Sequence, residues 1–98
     1  MPRELPIPPM AAEDEASFEL IRVWASRNKQ HVTIVPNFAG GAANFGGLLA
    51  DLARHGARLY SQREGIEIRA ALETILSRMS KELKRQDNNL EGHIGYDA

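Results

Sequence analysis

The residues best suited to chemistry stand together at Asp51, Arg54, His55 and Arg58. On a helix, Asp51 and His55 are an i, i+4 pair, with Arg54 three residues from Asp51. A carboxylate orienting an imidazole beside guanidinium groups could hold a small anion or move a proton. The same residues also make an ordinary helix-surface ion network, and that plainer reading is preferred. His31 would add a second ring if its element lay beside that helix, and Asp51 could then complete a metal-binding set. The spacing follows no zinc motif, so neither metal nor cofactor is assigned. The run Gly40-Gly41-Ala42-Ala43-Asn44-Phe45-Gly46-Gly47 follows a strand pattern and opens a helix pattern, the setting of a phosphate-cradling loop. It lacks the Gly-Lys-Ser/Thr ending of a P-loop and the order G-x-G-x-x-G, so turn chemistry and close helix approach explain it better. Ser61 and Ser77 have no histidine or acid at a telling distance, and no catalytic residue is assigned.

The elements that must carry these residues can be read from the apolar spacing. Residues 1–12 hold Pro2, Pro6, Pro8 and Pro9, which fix φ and lack N–H donors, so an extended arm is expected. Acidic Glu13, Asp14 and Glu15 suit a helix start, and a first helix is expected from Asp14 to Ser26. Its apolar face would comprise Phe18, Leu20, Ile21, Trp24 and Ala25, with Trp24 a main core residue. Arg27, Asn28 and Lys29 read as a polar turn. Gln30 to Val35 (QHVTIV) is rich in β-branched residues and stops at Pro36, so it is expected to be a strand. Val32 and Ile34 share one face, His31 and Thr33 the other. A lone strand must pair elsewhere. The candidates are the N-terminal arm, the His93–Tyr96 segment, or the same strand in a second molecule.

A second helix is expected from about Ala43 to Gln62, closed by Gly65. It carries a large apolar stripe (Phe45, Leu48, Leu49, Leu52, Gly56, Leu59, Tyr60) beside a small one (Gly46, Ala50, Ala53, Ala57). Both sides should press against another element, which would make this helix the spine of the fold. A third helix is expected from Ile66 to Leu83, with Ile68, Ala71, Leu72, Ile75, Leu76, Met79 and Leu83 on one face. The expected fold is therefore mostly helical α+β: helix–strand–helix–helix, with helices two and three forming a long antiparallel hairpin. Residues 13–86 would form one globular domain and 87–98 a polar, mobile tail.

Composition narrows the function classes. Lys and Arg number 12 against 13 Asp and Glu, a net charge of −1, which disfavours nucleic acid as a partner. No apolar run approaches the roughly 20 residues of a membrane span. Arg3, Glu4 and the prolines leave no apolar stretch for a signal peptide, and there is no cysteine, so a cytoplasmic location is expected.

Leu5-Pro6-Ile7-Pro8-Pro9, Trp24-Ala25 with Lys29-Gln30-His31-Val32, and Phe45-Gly46-Gly47-Leu48-Leu49-Ala50-Asp51-Leu52-Ala53-Arg54-His55 form a distinctive set. Together they resemble a family of small bacterial proteins, mostly alphaproteobacterial, described as a domain of unknown function. The resemblance spans residues 4 to about 83. Phe45 stands where the pattern has Trp, and the Gly/Ala-rich loop replaces a more acidic one. The resemblance implies a cytoplasmic single domain and no particular activity. The expected function is a non-enzymatic interaction module acting as a homodimer. The alternative is a small-ligand or anion-binding protein, an enzyme being one form of it, using Asp51, Arg54, His55 and the Gly40–Gly47 loop.

Overall fold

The computed structural model describes residues 1–86, which divide into two compact units, Met1–Val35 and a second from Pro36 onward. The expected tail at 87–98 lies outside the described residues. The class is mostly helical α+β, as its patterning implies. Two elements differ from expectation: the end of the arm expected to be extended is a helical turn, and a strand stands within the span expected to be the first helix.

In the first unit, a single turn of helix, α1 (Pro9–Glu13), ends the proline arm. Pro9 occupies its first turn, where a missing N–H costs nothing. The acidic run then stops the helix instead of starting one. Asp14 Oδ1 accepts the Ala16 N–H at 2.9 Å, and the Asp14 carbonyl accepts the Ser17 N–H at 3.0 Å. A short carboxylate that satisfies the backbone ahead of it competes with helical hydrogen bonding.

The expected helix over Asp14–Ser26 is thus overturned: Ile21–Ser26 is a strand, β1. It pairs antiparallel with β2 (Lys29–Ile34), matching Ile21 to Ile34, Val23 to Val32 and Trp24 to His31. Arg27 (φ 54°) and Asn28 (φ 64°) are both left-handed, which makes the link a two-residue turn of the twist that hairpins favour. The Val35 N–H bonds the Leu20 carbonyl at 2.9 Å and extends the ladder by one step. β2 therefore meets β1, a partner outside the three considered. Ile21, Val23, Val32 and Ile34 share one sheet face; Arg22, Trp24, His31 and Thr33 share the other.

The second unit is a helical hairpin of α2 (Gly41–Glu64) and α3 (Ile68–Gln86). Gly40 (φ 85°) and Gly41 (φ 67°) turn the chain into α2 in the left-handed region. Asn44 Nδ2 donates to the Ala39 carbonyl at 3.0 Å, and the rings of Phe38 and Phe45 meet edge to face at 5.9 Å. α2 then runs unbroken for 24 residues, about 36 Å. It ends at Gly65 (φ 68°), whose N–H bonds the Ser61 carbonyl at 3.0 Å. The Ser61 hydroxyl donates to the Ile66 carbonyl at 2.6 Å, tying the short connection down.

Where the helices meet, the small residues do the packing. Ala53 is 8% exposed, Ala57 0% and Ala71 3%, and a Cβ at Gly56 would lie 3.7 Å from Ile75 Cδ1. Of the small-residue stripe, Ala53 and Ala57 are covered as expected, whereas Gly46 and Ala50 are exposed. The leucine side is not covered: Leu52 is 50% exposed and Leu59 49%.

Candidate functional site

The expected site residues fall in different units. Asp51, Arg54, His55 and Arg58 lie on α2, while His31 lies on β2. Helical spacing brings Asp51 and Arg54 into an ion pair, with Nη1 donating to Oδ1 at 2.9 Å. Their side chains are 66% and 63% exposed, which makes the pair a solvated one of small energetic weight. His55 and Arg58 are exposed on the same stretch. Among the described residues, no three His, Asp or Glu side chains converge as a metal would require. None of the described polar or charged side chains is buried.

A second cluster, absent from the sequence-based candidates, occurs in the first unit. The Arg22 guanidinium stands 5.7 Å from the Trp24 ring centroid. It binds Glu19 at 3.1 Å and Glu4 at 3.2 Å. The hydrogen bond and charge of Glu19 raise the Arg22 pKa further, with Glu4 adding to this. Pro6, Ile7 and Pro8 of the arm and Ile21, Val23 and Trp24 of β1 line a cavity of about 290 Å³ there. Trp24 is half-buried beside this cavity, not the helix-borne core residue expected of it. The alternation of Ile21, Val23 and Ala25 with Arg22, Trp24 and Ser26 was the available signal. Strand geometry alone places Arg22 and Trp24 on one side.

Residues 4–87 match the family described as Domain of unknown function (DUF5076), and the chain belongs to that family. No curated protein matches it. Among solved structures, it is similar to one from the photosynthetic bacterium Rhodopseudomonas palustrus, described as a candidate pyruvate dehydrogenase. The TM-score is 0.68 at 28% identity, over 86% of this chain and 96% of the other.

Proposed function

We propose that this chain is a non-enzymatic interaction module that works in the cytoplasm as a homodimer. The observation that carries the reading is the exposed apolar surface of the helical hairpin. Leu49, Leu52, Leu59, Tyr60, Leu76 and Leu83 are all at least 41% exposed, whereas the fully covered residues are alanines. A helix pair that buries methyl groups and exposes leucines has its favourable burial still to make. Ile66, Ile68 and Met79 add to this surface, each more than a third exposed, an amount of apolar area suited to a standard-size interface. No described helix is long and apolar enough to cross a membrane, so a bilayer-spanning role does not account for that surface.

The pyruvate dehydrogenase description belongs to the relative and finds little support in these side chains. Acids and bases tuned for catalysis sit in desolvated clefts, whereas the Asp51–Arg54 pair lies in solvent. Purified protein is expected to release no carbon dioxide from pyruvate, with or without added thiamine diphosphate and magnesium. Turnover would overturn the non-enzymatic part. Sedimentation equilibrium at micromolar concentration tests the dimer: twice the chain mass is expected, and a monomer overturns it.

A further inference from the structure

We infer that the homodimer forms by antiparallel packing of α2 on α2 of the partner, with reciprocal Asp51–Arg58 ion pairs at its rim. The inference rests on the homodimer reading and adds the surface and the register. Phe45, Leu48, Leu52, His55, Leu59 and Gln62 recur at alternating three- and four-residue steps, the spacing by which one helix seats along another. Leu52 and Leu59 are about half exposed along this row, and Ala53 and Ala57 beside it are taken up by α3.

The row reads well against its own reverse. With the two-fold axis between Ala53 and Arg54, Leu48 lies beside the partner's Leu59. Leu52 lies beside the partner's His55, and Phe45 beside the partner's Gln62. On one flank, Leu49, 41% exposed, faces the partner's Gly56 at the margin of the surface, where Ile75 of α3 already approaches. The other flank carries Asp51 and Arg58, one heptad apart and opposite in charge. In an antiparallel pair, residues of the same flank position face each other, so Asp51 meets the partner's Arg58 on both sides of the axis. Parallel pairing would instead set Asp51 and Arg58 at positions that face the other flank of the partner, where Leu49 and Gly56 offer no charge. Among the described residues Arg58 has no ion pair within its own chain, while Asp51 bonds Arg54 in a solvated contact easily given up. Asp51, Arg54, His55 and Arg58 thereby gain a common role as the polar edge of an association surface.

Charge reversal tests this. Asp51→Arg and Arg58→Asp should each raise the dimer dissociation constant roughly tenfold by placing like charges together twice per dimer. The double variant D51R/R58D should recover most of that loss, since it exchanges the signs while still lacking the Asp51–Arg54 pair. Indifference of both single variants, or no recovery in the double, overturns the inference. Cross-linking gives a second readout that does not depend on charge, because the chain has no cysteine. His55→Cys places two thiols near the axis, within reach of a bis-maleimide of about 8 Å. Gln62→Cys places them about 25 Å apart along the helix. Cross-linked dimer from H55C and none from Q62C is expected, and the opposite pattern overturns the register. A wild-type chain that sediments as a monomer removes the homodimer reading itself. A dimer that ignores these substitutions removes only the α2 surface.

Discussion

The β1–β2 turn joins two residues held at positive φ without the help of glycine. Arg27 carries a long side chain at φ 54°, where Asn or Gly is at ease. Replacing the pair by Asn-Gly (R27N/N28G) should stabilise the first unit by about 0.5–1 kcal/mol, read as an upward shift of its thermal midpoint. Gly65, at φ 68° with its N–H bonded to Ser61, faces the opposite constraint. Gly65→Ala should cost about 1 kcal/mol even though nothing lies within 4 Å of the added methyl. The cost is conformational, not steric, and a denaturant titration should show a lower midpoint at unchanged slope. Residues of this kind are where the sequence was hardest to read. Asn28 before Lys29 looks like a polar break of any type, and only the observed dihedrals reveal a hairpin. Arg22 was likewise illegible while the segment read as a helix. Its stacking near Trp24 follows from the strand period, which sets residues two apart on one side.

At the scale of elements, long periodic segments were legible and short ones were not. α2 and α3 each repeat their apolar pattern over several turns, and their ends lie within three residues of expectation. The Ile21–Ser26 segment is six residues long, which is too short for period alone to separate strand from helix. Acidic residues before it suggested a helix start, yet the Asp14 carboxylate bonds the Ala16 N–H and turns the chain away. Stability of the helical unit should follow its packing. Ala57 is fully covered, so Ala57→Leu should overpack the seam and cost about 1–3 kcal/mol. Gly46 lies inside α2 with open space around its Cβ direction, so Gly46→Ala should gain about 0.5–1 kcal/mol of helix propensity. Circular dichroism melts of the two variants should move in opposite directions.

For the whole molecule, the sequence carried the mostly helical α+β class and the family resemblance, both of which stand. It did not carry the balance between covered and uncovered apolar surface, because a stripe of leucines reads the same whether its partner is in the same chain or another. The proposed homodimer makes that balance measurable. Association of folded chains adds mass-action stability, so the melting temperature should rise with protein concentration between about 1 and 100 µM. A concentration-independent melt would mean that no such association supports the fold.

The seam of Ala53, Ala57 and Ala71 also bears on how firmly the two helices are held in step. Interlocking large side chains fix an axial position because each knob has one hole to enter, whereas methyl groups present a nearly smooth track. Along such a track, neighbouring alignments differ little in energy. The sideways setting of α3 on α2 therefore leans on the Gly65 bend, the Ser61–Ile66 tie and the approach of Ile75 to Gly56. Loosening the bend should let one rod slip along the other long before either unwinds.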